Sequence, residues 1–260
     1  NIIVITNSSI AGVPRLYSHI VDDVIILSQS ELDDIELYAL SNLGLHENII
    51  PDQNAQGKLL SKWYFDEGSW ARWEMFGIND TMWNLCLPKE LKFNDYNMEL
   101  NEQTIQRVET YLKEKHIDIK KMTILCPQSK SSSMLENSVW VKFSNILKQK
   151  GYDVFTNIGP NEQPICGTKK LQINIDEVVC MSKMGAYVIG VQCGLMDTLL
   201  WANCSNLIIL SLIKNKTDLA YARVANSLNE VNKKPNNVTY LRIEHFEEDY
   251  VLKLLMDNFH

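Results

Sequence analysis

The stretch "VIGVQCGLMDTLLWANCSNLIIL", residues 188–210, decides the fold. Its first apolar run halts at Gln192-Cys193-Gly194, an apolar pattern of helical spacing resumes at Leu195, and a second apolar run closes the stretch. Two runs apolar on both faces and joined by a helix are parallel strands of a sheet covered on both sides.

The same alternation extends in both directions. Upstream lie the strand "MTILC" and a helix in "MLENSVWVKFSNILKQKG", with Gly151 as its C-cap. The strand "YDVFTN", a loop "IGPNEQPICGTKK", the strand "LQIN", a helix "IDEVVCMSKMG" and the strand "AYVIGV" follow. Downstream come the helix "DLAYARVANSLNEV", the strand "VTYLRI" and a helix in "FEEDYVLKLLMDNF". Residues 101–260 therefore read as a doubly wound α/β domain with right-handed crossovers. Residues 1–100 read as a smaller α/β domain: "NIIVIT" and "DVIIL" are two parallel strands, and "ELDDIELYALSNLG" is a helix. The chain opens directly on a strand without Met, so the first units of this domain are expected to lie upstream of it.

Composition excludes several classes. The 260 residues are 45% hydrophobic and 22% charged with a net charge of -7, an ordinary globular balance without a basic stripe, so nucleic acid is not an expected partner. No apolar run approaches the roughly 20 residues of a membrane helix, which leaves peripheral association as the only membrane mode. Six cysteines without a C-x-x-C pair read as reduced thiols of a cytoplasmic protein.

In open parallel sheets ligands bind beyond the carboxyl ends of the strands. Three such loops carry chemistry. In "CPQSKSSS", Gln128, Ser129, Lys130 and Ser131 offer hydroxyls, an amide and a cation beside a helix start, a set that suits phosphate; a solvated helix cap is the alternative. In "NIGPNEQP", Gly159 forces a turn and Glu162 can accept two ribose hydroxyls, a plain loop being the alternative. In the opening stretch, Gly194 lets a phosphate approach the helix that starts at Leu195, and Gln192 and Cys193 break the apolar pattern at the strand end beside it. Asp197 is either a helix-start acid or an acceptor for a ligand hydroxyl or amide. Cys193 is a poor candidate nucleophile, the only histidines beyond it being His245 and His260. Neither G-x-G-x-x-G nor G-x-x-x-x-G-K-[ST] occurs, which argues against dehydrogenases and P-loop enzymes. In the first half, "WYFDEGSWARW" places Asp66 and Glu67 among tryptophans, either as a sugar-stacking edge or as an amphipathic helix burying its rings.

The order "ILCPQSKSS", Trp140, "GPNE", "IDEVV", "VIGVQCGLMD" resembles the nucleotide-sugar-binding domain of GT-B glycosyltransferases, most of all the heptosyltransferase group, over residues 100–258. In that group the last stretch reads as an acid, a small hydroxyl residue, Gly, Leu, any residue and His; here Gly194 and Leu195 match, whereas Gln192 and Asp197 depart. "GLMD" also resembles the R-S-G-L-x-D of bacterial fucosyltransferase-like sequences, but Gln192 replaces the arginine and "ILCPQSKSS" lacks the H-x-R-R pattern of that group.

The resemblance implies two Rossmann-like halves facing a cleft and transfer of a hexosyl or heptosyl group from a nucleotide-sugar to a glycan, surface-polysaccharide or lipid-linked acceptor. It implies no cofactor and no metal, with Lys130 and helix N-termini balancing the leaving diphosphate, and a bacterial enzyme in the cytoplasm or at the inner face of the membrane. The acceptor-activating base would come from the N-terminal half, where Asp66 and Glu67 are the candidates. A nucleotide-sugar epimerase of the same fold and a non-catalytic nucleotide-binding or scaffold subunit are the competing readings. The sequence does not fix an oligomeric state.

Overall fold

A computed structural model of the chain describes residues 3–8, 11–19, 21–32, 98–129, 133–159, 161–214 and 238–259. Its elements run β1 (Ile3–Asn7), α1 (Gly12–Arg15), β2 (Asp23–Leu27), α2 (Glu102–Glu114), β3 (Met122–Cys126), α3 (Asn137–Gln149) and β4 (Asp153–Asn157). They continue as β5 (Lys169–Leu171), α4 (Ile175–Met184), β6 (Tyr187–Val191), α5 (Gly194–Trp201), β7 (Leu207–Leu212), β8 (Val238–Ile243) and α6 (Glu248–Asp257). The expected helix over 218–231 and the aromatic stretch around Asp66 and Glu67 lie outside the described residues.

The doubly wound parallel sheet is present. Six strands run in the order β5-β4-β3-β6-β7-β8, every neighbouring pair parallel. The chain starts in the middle at β3, works outward to β5, then returns past β3 to build β6, β7 and β8 on the other side. The order therefore reverses between β3 and β6, the place where sheets of this type leave a crevice for ligands. The β1–β2 pair is parallel as expected, in register from Ile3 opposite Asp23 to Asn7 opposite Leu27.

Burial explains why the strands read as unbroken apolar runs. All of β3 and β7 is buried, because helices cover both faces. One face holds Ile124, Cys126, Phe155, Val188 and Ile209 against α4 and α5; the other holds Leu125, Val154, Ile189, Val191 and Leu210 against α3 and α6. On the second face Trp140 and Phe143 of α3 are 1% and 0% exposed, so the helix is fixed by burial of its apolar stripe. α4 starts in a capping box in which the Asn174 side chain takes the Glu177 amide and the Glu177 carboxylate takes the Asn174 amide; Gly185, at φ 114, ends it in the left-handed region.

Three boundaries differ from the sequence reading. α3 begins at Asn137 rather than at Met134, because Leu135 turns into the core from extended backbone and Glu136 takes the N-cap position. The edge strand is Lys169–Leu171 rather than "LQIN", since Asn174 serves the cap of α4. α5 begins one residue early, at Gly194.

The N-terminal unit is moored to the large sheet through α1. Gly12 packs so closely on the first turn of α4 that a Cβ there would lie 2.7 Å from Asp176 Oδ1. Asp176 is 1% exposed, and its carboxylate accepts from Thr104 Oγ1 at 2.7 Å and Arg107 Nη2 at 3.2 Å, both on α2, while Arg15 Nη1 of α1 stands 3.8 Å away. A buried carboxylate is tolerated only with such partners.

The approach of β6 to β3 is equally tight. A Cβ on Gly190 would meet Cys126 Cβ at 2.7 Å, Met196 Sδ at 2.8 Å and the Cys126 carbonyl at 2.9 Å. Since the carbonyl belongs to the neighbouring backbone, side-chain adjustment alone cannot relieve the contact. Gly190→Ala is expected to lower stability in urea denaturation by about 2 kcal/mol; a loss below about 0.5 kcal/mol would show that the two strand ends are free to separate.

Candidate functional site

The three loops singled out in the sequence follow β4, β3 and β6, which are consecutive in the sheet. Cys126 pairs with Gly190 in register, so the loops after β3 and β6 leave the sheet at the same height. They also touch: Ser129 Oγ donates to the Gln192 carbonyl at 3.2 Å. That bond uses the one proton of Ser129 and ties the β3 loop to the end of β6. Gln128 is exposed beside it; Lys130 and Ser131 lie outside the described residues.

After β6, the chain turns directly into α5. Cys193 is the N-cap residue, with its thiol beside the Leu195 and Met196 amides at the start of α5. Gly194 is exposed, and a Cβ there would meet nothing within 4 Å. The glycine is thus not imposed by crowding inside the protein, unlike Gly190. The open space in front of it and the positive end of the helix face the same point, an arrangement suited to an anion. Burial pushes the Cys193 thiol up; the Met196 and Leu195 amides pull against it, and Asp197 adds to the rise. Burial also pushes Cys126 up, reinforced by Cys193. Thiols held protonated in this way are poor nucleophiles.

The loop after β4 closes on itself. Glu162 Oε2 accepts from the Gly159 amide at 2.7 Å, and the Glu162 amide donates to the Gly159 carbonyl at 3.2 Å. One carboxylate oxygen of Glu162 is therefore committed to the turn, leaving Oε1 for a ligand.

Asp197 lies one turn into α5. Its Oδ1 is shut off from solvent and has no hydrogen-bond partner among the described residues. Burial raises its pKa from 3.8 to about 6. A second buried acceptor sits at the same edge: Asn157 Oδ1, at the end of β4, also lacks a partner among the described residues. The sequence reading missed Asn157, which looked like the last residue of a strand; only the orphaned oxygen reveals it.

A groove of about 620 Å³ runs along α2 where it faces α4, lined by Gln106, Arg107, Tyr111, Ile173, Glu177 and Met181. Its arginine is already engaged with Glu177 at 3.0 Å and Asp176 at 3.2 Å. The crevice between β3 and β6, with a helix start and orphaned acceptors beside it, is the better candidate.

Among the described residues no group of three or more His, Cys, Asp or Glu is placed to hold a metal ion, and no helix is long and apolar enough to cross a membrane.

The raised pKa of Asp197 has a measurable effect on stability. Well below pH 3.8 folded and unfolded chains both carry the proton and the residue costs nothing. Between pH 3.8 and about 6 the unfolded chain ionises first, and above that range the folded chain bears the full burial penalty. Asp197→Asn is expected to be more stable than the parent by roughly 2 to 3 kcal/mol at pH 7.5 and by about 1 kcal/mol at pH 4.5 in urea unfolding. A difference that does not change with pH would mean the carboxyl is not buried in this way.

Compared by sequence, the chain has no significant match to a family model or to a curated protein. Compared by structure, it is similar to a glycosyl transferase family 9 protein from Veillonella parvula DSM 2008, with a TM-score of 0.54 at 10% identity, covering 100% of this chain and 83% of the other. It is also similar to the E. coli ADP-heptose lps heptosyltransferase II, with a TM-score of 0.51 at 12% identity, covering 100% of this chain and 98% of the other. At these identities the likeness is one of fold, and the fold is that of the heptosyltransferase-like GT-B glycosyltransferases.

Proposed function

We propose that the chain is a glycosyltransferase that moves a sugar from a nucleotide-sugar to a glycan or surface-polysaccharide acceptor. The observation that carries this reading is the crevice at the reversal of strand order, where the start of α5, the open space over Gly194 and the Ser129 loop meet. A diphosphate fits there, its charge balanced by helix amides and by Lys130 rather than by a cofactor. In this reading residues 101–260 hold the donor, with Gln128, Ser129, Ser131 and Gln192 beside the phosphates and Gly159 and Glu162 beside the ribose. The N-terminal half supplies the acceptor side and the base, for which Asp66 and Glu67 are candidates. The work is cytoplasmic or at the inner membrane face, on a glycan or lipid-linked acceptor, and the group moved is of hexosyl or heptosyl type.

A non-catalytic nucleotide-binding subunit is the second reading. It is favoured by Asp197 itself, an acid next to the proposed diphosphate position. An epimerase is distinguished by its product when donor alone is supplied.

Thermal unfolding with UDP, GDP, ADP and CMP tests the reading. A matching nucleotide at about 100 times its Kd adds about 2.7 kcal/mol, which raises the Tm of a chain of this size by roughly 5 to 10 °C. Absence of a shift with all four would overturn it; a shift without sugar release or transfer from any nucleotide-sugar would favour the subunit.

A further inference from the structure

Among the described residues, two buried side-chain oxygens at the carboxyl edge of the sheet, Asp197 Oδ1 and Asn157 Oδ1, lack a hydrogen-bond partner. Unpartnered buried acceptors are costly, and they recur where a ligand completes them. The pair shares one side of the sheet. Alternation along the strands puts Asn157 on the face of Phe155, Cys126 on that of Ile124, and Gly190 on that of Val188. α5, which carries Asp197, covers the same face through Met196, Leu199 and Leu200. β4 and β6 flank β3, so the strand end that carries Asn157 and the strand end from which α5 starts are about two strand spacings apart, roughly 10 Å at the backbone. A single sugar ring and two inward side chains span such a gap. An anion suits it poorly: both orphaned atoms are acceptors, and Asp197 repels a phosphate once ionised.

Resting on the glycosyl-transfer reading above, we infer that Asp197 and Asn157 read the sugar of the donor rather than its nucleotide: their buried oxygens accept from ring hydroxyl or amino hydrogens, beside the diphosphate held at the start of α5. The same helix thus serves two ligand parts, the positive end of its dipole facing the charged group and its first-turn acid facing the neutral, donor-rich ring. The departure to Asp at position 197 then marks which sugars are accepted, those with hydrogen-bond donors aimed at α5. This is the arrangement in which a missing donor leaves an acceptor buried and unpaired, and the discrimination is correspondingly large.

Isothermal titration of the full chain with nucleoside diphosphates and with their hexose and heptose conjugates separates the possibilities. The parent protein is expected to bind at least one nucleotide-sugar about tenfold more tightly than the matching nucleoside diphosphate, a hydrogen bond to a charged group being worth at least that factor. In Asp197→Ala, and separately in Asn157→Ala, the ratio of the two affinities is expected to fall toward one, with circular dichroism confirming a folded chain. Because relief of buried charge stabilises replacements at 197, loss of the ratio there cannot be ascribed to unfolding. A parent that binds nucleoside diphosphates without preferring any sugar conjugate, or variants that keep the parent's ratio, would overturn the inference while leaving nucleotide binding intact. Failure of the parent to bind either class would overturn the glycosyl-transfer reading and this inference together.

Discussion

The contact of Gly190 with Cys126 and Met196 is the constraint on which the rest depends. Neighbouring parallel strands lie about 4.8 Å apart whatever their side chains, but the helix that follows β6 can seat Met196 over β3 only because residue 190 has no Cβ. That seating fixes where α5 begins. The start of α5 in turn lies within reach of the β3 loop, and the Ser129–Gln192 hydrogen bond records the meeting. A methyl group at position 190 would act on the core and on the crevice at once, because the same three residues serve both.

The fold was legible where one pattern governed. Leu207–Leu212 and Met122–Cys126 are buried on both faces, and a continuous apolar run is the signature of such a strand. Boundaries failed where a single residue had two possible uses. Leu135 fits a helical stripe and fits equally as a core plug on extended backbone, and only tertiary contact decides between them. Asn174 continues an alternating strand or caps a helix; the reciprocal bond with Glu177 selects the cap. The β3 and β6 loops were legible as ligand loops because polar residues and glycine interrupt apolar runs there. Asn157 was not, since one polar residue at a strand end carries no signal until its oxygen is seen to lack a partner.

Asp197 illustrates a conflict between stability and use. A buried carboxyl with no partner among the described residues, ionising near pH 6, weakens the folded chain at neutral pH. Local rules of foldability are broken most often where a ligand is handled. Gly194 breaks another such rule, since it opens a helix without any steric need for glycine. The two exceptions lie three residues apart, on the first turn of one helix.

The Asp176 carboxylate has a consequence for chain length. It stands beside Arg15 from before the long stretch that separates the two sheets and binds Arg107 from after it, so a single buried group closes that excursion at its base. The entropy of closing a loop grows only with the logarithm of its length, about 0.6 kcal/mol for each doubling. Replacing Asp176 would free Arg15, Thr104 and Arg107 together, so one side chain decides whether the helix before the large sheet and the helix after β1 stay seated on α4.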